Sequence, residues 1–321
     1  MQTAAGGAYC IKNVRPGRAR EVLPVPSLFT HTLIAEDVLA RLPENVRAAA
    51  KDLPAFLLGA QGGDVFFFCR AKDGGGKRRN LGRSLHREDV YARFCALAEA
   101  ARRAGDLSYA AGYVCHYAAD TVFHPYVYAL CAQLSAENPR VHWHTCIESD
   151  LDTLFLAAHG RPVQEQALSP RYGELNFAAL YPQAAPLCAG LSERAFRAAV
   201  RRFYLYARGI RDPRFARRKF FAGAEKVLHA PRLLSTLYRR AEPDPRFLNA
   251  EGNEWRAPAQ PAFCSREGAA ALYERAVREG ADLVRAFYLH TQGAPLPEKA
   301  FNKNFLTGLP APSANADPLQ P

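Results

Sequence analysis

No stretch of the 321-residue chain approaches the roughly 20 consecutive apolar residues that a membrane-spanning helix needs, so a transmembrane anchor is not expected. The amino terminus, MQTAAGGAYCIKNVRPGRAREVLP, has basic residues but no continuous apolar core followed by a small-residue cleavage site. A secretory signal is therefore not expected either. The eight cysteines (Cys10, Cys69, Cys95, Cys115, Cys131, Cys146, Cys188 and Cys264) are scattered singly, with no CxxC pair. Reduced thiols and a cytoplasmic location follow as expectations. Runs of alternating apolar and polar residues are scarce, so no sheet is expected. No GxSxG pattern surrounds Ser84, although His86 and Asp89 lie close by, which argues against a serine hydrolase. The adjacent His-Asp pair that one group of helical phosphohydrolases requires is also missing.

What the chain does have is apolar bulk and positive charge. Hydrophobic residues make up 49% of it, enough to fill a sizeable core, and the formal charge is +11 at pH 7. The excess cations are spread over many segments. They favour anionic partners but do not separate a nucleic acid from an anionic membrane or a phosphate-bearing substrate.

The dominant periodicity is helical. From Ser27 the sequence SLFTHTLIAEDVLARL places Leu33, Ile34, Val38 and Leu42 at helical spacing, and Pro43 closes the pattern. FLLGAQGGDVFFF, broken by Gly59, Gly62 and Gly63, predicts a helix end that presents Asp64. The following AKDGGGKRRNLG reads as a flexible basic loop, in which Lys77, Arg78 and Arg79 are solvated or approach a phosphate. Residues 85 to 104, 108 to 131 and 142 to 158 each carry the 3.6-residue period of packed helices. Further amphipathic segments, from 192 to 208, 214 to 240 and 264 to 289, read as bundle helices without inward polar clusters. The expected organisation is a lead-in over 1–26, a metal-binding helical core over 27–160, a helical remainder over 161–305 and a flexible Pro-rich tail over 306–321. The fold class is all-α.

Chemistry concentrates in YVCHYAADTVFHPYV. His116, Asp120 and His124 recur at i, i+4 and i+8 and fan over only about 80° of helix surface, rising about 6 Å per step. A carboxylate between two imidazoles on an otherwise apolar stripe suits a bridging metal ligand. Left unpaired there, the three groups would cost several kcal/mol in lost solvation. HWHTCIESDLD repeats the arrangement: His144 and Glu148 are four apart, and Asp152 follows one turn later as a ligand, a surface charge or, preferentially, a partner that orients a histidine. His142 points elsewhere on a helix, and a solvated or loop position is expected for it. His31, His86 and Asp64 complete the inventory. Phe66, Phe67 and Phe68 cannot all face one way; packing is the expectation, and contact with a ligand is the alternative. Trp255 reads as part of a loop anchored on the core.

The ordered series HTLIAEDV, GAQGGD, LH, HYAADTVFHP and HTCIE resembles the bacterial zinc-dependent phospholipase C family over roughly residues 27 to 158. Zinc nucleases that act on single strands share the same all-α, multi-helix scaffold. The resemblance implies that His86, His116 and Asp64 hold one zinc, that Asp120 bridges it to a second carrying His31, and that His124, His144 and Glu148 hold a third, so that two or three zinc ions are expected. It further implies hydrolysis of a phospholipid or other phosphodiester by a metal-activated water, with Asp64 orienting that water or accepting its proton. Peripheral contact with an anionic membrane and binding of nucleic acid are the partner expectations. A non-catalytic, zinc-stabilised scaffold is the alternative to an enzyme. The chain departs from the secreted members in three places. Pro24-Val25-Pro26 precede His31 where those members use a terminal tryptophan as a ligand. The later histidine lies farther from the aspartate in those members than His124 lies from Asp120. Val65 stands where they carry the tyrosine of a choline pocket.

Overall fold

The computed structural model describes residues 27–72, 78–164 and 167–310. The lead-in up to Pro26, Lys77 of the basic loop and the tail from residue 311 lie outside the described residues. Twelve α-helices occur among those described: α1 (Leu28–Arg41), α2 (Glu44–Ala49), α3 (Leu53–Gly59), α4 (Leu81–Leu85), α5 (Val90–Ala104), α6 (Ser108–Glu137), α7 (Trp143–Ala158), α8 (Phe177–Ala184), α9 (Glu193–Gly209), α10 (Ala216–Val227), α11 (Ala269–Thr291) and α12 (Glu298–Phe301). None is long and apolar enough to cross a membrane.

The long α6 is the axis. From Ser108 to His124 every residue is buried, the signature of a helix packed on all sides rather than along one stripe. Its start is fixed by Asp106, whose Oδ1 accepts the Ser108 amide and hydroxyl at 2.9 and 2.5 Å. Helices α1, α3, α7 and α11 surround it. The approach of α3 depends on Gly112, where an added Cβ would lie 1.9 Å from the Phe56 carbonyl. Pro125 sits inside α6 without ending it; the ring cannot donate to the carbonyl of Thr121, which lies one turn back.

The all-α reading holds, with two small exceptions to the absence of sheet. β1 (Arg70–Lys72) and β2 (Arg78–Asn80) pair antiparallel, with Arg70 opposite Asn80, and overlap the segment from Ala71 expected to be a flexible loop. β3 (Trp255–Ala257) and β4 (Gln260–Ser265) form a second pair, irregular at Arg256/Ala257. Trp255 is anchored as expected, its Nε1 donating to the Glu267 carbonyl at 2.9 Å. The segment 214–240 is not one helix: α10 ends at Val227, after which His229 takes a left-handed φ of 48° and Pro231 follows. Nor do the later helices lack buried polar groups, since Glu225 of α10 is buried and accepts the amides of Leu233, Leu234 and Ser235. Residues 306–310 do not fray. They are tied back by the Asn304 amide, which donates to the Leu309 carbonyl at 2.7 Å, behind a fully packed Phe305.

Candidate metal centre

Five elements bring the eight predicted ligands together. His31 lies on the second turn of α1, Asp64 in the 3-10 segment Gly62–Phe68, and His86 at the end of α4. His116, Asp120 and His124 follow one another along α6, and His144 and Glu148 along α7. The ligand atoms form three groups: His31/Asp64/His116, His86/His116/Asp120 and His124/His144/Glu148. The third matches the set expected from the sequence. The first two share His116 and merge the expected first and second sets into one cluster.

Asp120 is its hub. One carboxylate oxygen lies 3.4 Å from His31 Nε2; the other lies 3.3 Å from His116 Nε2, 3.4 Å from His86 Nε2 and 3.9 Å from His124 Nδ1. Asp64 faces the same space, 3.3 Å from His86 Nε2 and 3.9 Å from His31 Nε2. In the third group Glu148 Oε1 is 3.1 Å from His144 Nε2 and 3.6 Å from His124 Nε2. Most of these separations exceed a good hydrogen bond. Asp120 Oδ2 and Glu148 Oε2 are buried without a hydrogen-bond partner. Buried carboxylate oxygens left orphaned among converging imidazole nitrogens fit a site built around a cation, and a nitrogen and oxygen donor set suits zinc.

Two of the histidines are oriented from outside the cluster, whereas Nδ1 of His31 and of His116 is buried without a hydrogen-bond partner. His86 Nδ1 donates to the Gly82 carbonyl at 2.7 Å, and His124 Nδ1 donates to the Phe305 carbonyl at 2.8 Å, so in both rings Nε2 is left for the interior. Burial opposes charge on His86, but Asp120 and Asp64 override it and raise its pKa to about 10. Burial, reinforced by the neighbouring His31 and His86, lowers His116 to about 4, so that its imidazole stays neutral. Against burial, His144 and His124 hold Glu148 down to about 2, and the surrounding histidines hold Asp120 well below the ordinary carboxylate range. His124 and His144 are raised, their carboxylate neighbours outweighing burial. A metal entering the cluster therefore displaces protons.

The glycines ahead of Asp64 are required by this geometry. Gly62 has φ +50°, and a Cβ there would lie 1.9 Å from His116 Cδ2; at Gly63 it would lie 2.7 Å from His86 Cε1. The Gly62→Ala variant is expected to bind zinc at least about tenfold more weakly, since the His116 ring must tilt away, and to lose about 1 kcal/mol to backbone strain. Competition with a chromogenic chelator measures the first effect. Wild-type affinity would show that the close approach does not matter.

Asp152 orients no histidine: its Oδ1 accepts from the Ser27 and Thr30 hydroxyls and the Phe29 and Thr30 amides, at 2.8 to 3.1 Å, capping the start of α1 from across the bundle. His142 takes the loop position expected for it, just ahead of α7. It is partly buried at the N-cap of α7, its Nδ1 2.6 Å from the Thr145 hydroxyl. The three phenylalanines divide: Phe66 packs on Phe196, Phe68 packs on Phe203 and Tyr206, and Phe67 stacks on the His86 ring at 5.3 Å. Val65 is buried in the core and does not line the cleft. Arg79 faces Glu88 at 3.8 Å.

The cluster opens into a cleft of about 60 Å³, room for ions and a few waters but not for a substrate head group. Two residues not picked out from the sequence complete its wall, Tyr128 and Leu306. Tyr128 continues the stripe of His116, Asp120 and His124 by one more step of four, with its ring 5.1 Å from His144, and that spacing was a usable signal. The Phe305 carbonyl, 181 positions from the histidine that it orients, has no sequence signature.

A family model described as zinc dependent phospholipase C matches residues 30–198, more than half of the chain. No curated protein and no solved structure gives a match. The matched span contains all eight ligand candidates. The chain belongs to the zinc dependent phospholipase C family.

Proposed function

We propose that the protein hydrolyses a phospholipid at this cluster, cleaving the phosphodiester on the glycerol side as a phospholipase C does. The observation that carries the lipid reading is what adjoins the cleft. Tyr128 and Leu306 also line a neighbouring groove of about 540 Å³, walled by apolar side chains of α6 and by the β3–β4 turn at Pro258 and Ala259. That volume is typical of a ligand pocket, and the lining suits an acyl chain. A bound single strand would need a row of cations and several stacking aromatics. Among the described residues that line the groove, Arg87 is the one charged side chain and Tyr128 the one aromatic.

Zinc bound at the cluster would supply Lewis acidity and lower the pKa of a water ligand. The rest falls to the chain. Neutral His116 keeps a lone pair available at the pH of the cell, and Phe67 covers one side of His86 against water. Asp64, which lines the cleft as well as the cluster, is assigned the proton from the attacking water. Arg87, exposed at the groove, is placed to attract a phosphate.

The zinc-loaded protein should cleave phosphatidylcholine or phosphatidylethanolamine and a soluble chromogenic phosphodiester, and leave single-stranded DNA intact. Filling the groove with Ala259→Trp, at an exposed turn position, should lower kcat/KM for long-chain lipid about tenfold or more and leave the soluble diester within about twofold. Cleavage of DNA but not lipid, or equal losses on both diesters, would overturn the reading.

A further inference from the structure

Helix α10 turns an apolar stripe outward. Phe220, Gly223, Ala224, Val227 and Leu228 recur at i, i+3, i+4, i+7 and i+8, the spacing that places side chains on one face. That face does not pack on the core. Phe220 is 69% exposed, Val227 75% and Leu228 74%, and Leu234 just beyond the helix is 46% exposed. Other residues attach the helix to the protein. Glu225 is buried and accepts three backbone amides and the Ser235 hydroxyl, and Phe221 stacks on Tyr238 at 5.6 Å.

The charge around the stripe has one sign. Between Pro213 and Leu234 the cations are Arg214, Arg217, Arg218, Lys219, Lys226 and Arg232, and the only acid is Glu225. Its carboxylate is spent on the buried amides, so the segment offers solvent positive charge and large apolar side chains together. A helix that combines an apolar face with flanking lysine and arginine lies in the plane of a lipid interface, its apolar residues at the acyl boundary and its cations among the head groups.

We propose that α10 docks the protein on an anionic lipid surface. Arg218 turns inward to the carbonyls of Ser235 and Tyr238, but a second copy of the chain on the stripe would still bring the exposed Arg214, Arg217, Lys219, Lys226 and Arg232 against the same five, and so fails on charge where an anionic bilayer succeeds. The inference rests on α10 alone and does not require that the lipid be the substrate.

Sedimentation of the zinc-loaded full chain with vesicles tests it. Vesicles of phosphatidylcholine containing phosphatidylserine should bind at least about tenfold more protein than pure phosphatidylcholine, with binding weakened by salt. The variant Phe220→Ser/Val227→Ser/Leu228→Ser should lose about tenfold or more of that binding, with thermal stability and hydrolysis of a soluble diester unchanged. Lys219→Gln and Lys226→Gln should each cost about fivefold. Equal binding by the triple variant and the wild type would overturn the proposal. So would light scattering that shows a dimer lost in the triple variant while vesicle binding persists. Vesicle binding by a protein inactive on every phosphodiester would sustain the surface and sink the substrate reading.

Discussion

Replacing Asp120 with alanine is expected to strip zinc from the cluster of His31, Asp64, His86 and His116 and to lower kcat on the order of 10³-fold, the scale of losing one preorganised electrostatic group. The four imidazole nitrogens around its carboxylate lie within 3.9 Å of it. Without its charge Asp64 is left as the one carboxylate facing these imidazoles, half of the anionic charge that balances a divalent ion there. Asp120→Asn is the sharper probe, because it keeps the shape and one oxygen while removing the charge. It should behave nearly as badly, since bridging depends on the anion. His144→Ala provides the contrast. His144 sits at the more exposed edge, its side chain 19% accessible, and touches only the group with Glu148. That variant should lose the metal of the group of His124, His144 and Glu148 and keep that of the Asp120 cluster. Metal content by mass spectrometry, read beside circular dichroism, separates these outcomes. Full zinc stoichiometry in Asp120→Ala would refute the assignment of Asp120 as the hub.

How far the site could be read from the sequence follows the distance over which each pair acts. His116, Asp120 and His124, and likewise His144 and Glu148, are joined by helical spacing, and a period of four on a buried helix survives folding intact. Tyr128 lies on the same period; nothing in its residue type marks it as a cleft wall rather than core. The pairing of the two helices, and the entry of His31, Asp64 and His86, came from the order of motifs in a family and not from local physics. Contacts made by main-chain atoms were hidden, as at the Phe305 carbonyl. So was the packing of residues 306–310, because Pro-rich composition signals a loop without saying that Phe305 fits among His86, His116 and Tyr117. The two strand pairs escaped because strands of three residues, the commonest length here, are too short to show an alternation. In the segment 214–240 apolar and basic residues kept helical spacing, but the break after Val227 is set by Glu225 capturing the amides of the next turn.

Asp152 is where spacing identified the residue but not its task. It shares a face of α7 with His144 and Glu148, which pointed to a histidine as its partner. The structure instead gives it the first turn of α1, where Ser27 makes no side-chain cap of its own. Burial pushes the Asp152 carboxyl above its ordinary value, with Arg239 and the bonds from Thr30 and Ser27 pulling it back. The Arg239 guanidinium lies 4.5 Å over the Phe29 ring, closing the arrangement. Asp152→Ala is therefore expected to cost about 3 to 5 kcal/mol, as for a buried charge network losing one member. Two amides and two hydroxyls lose their acceptor, and Arg239 loses the carboxylate whose charge favours its own. Asp152→Asn keeps an oxygen at the same place and should lose about 1 to 2 kcal/mol. Because α1 carries His31 one turn beyond the cap, the alanine variant should also bind metal about 10- to 100-fold more weakly in the His31 cluster. The group of His124, His144 and Glu148 should keep its affinity even though Glu148 is on the same helix as the substitution. Urea titration of the chelated protein gives the first effect, and stepwise zinc titration of the folded variant gives the second. A uniform loss from both groups would mean that Asp152 merely stabilises α7. An unchanged affinity in both would mean that His31 holds its place without the cap.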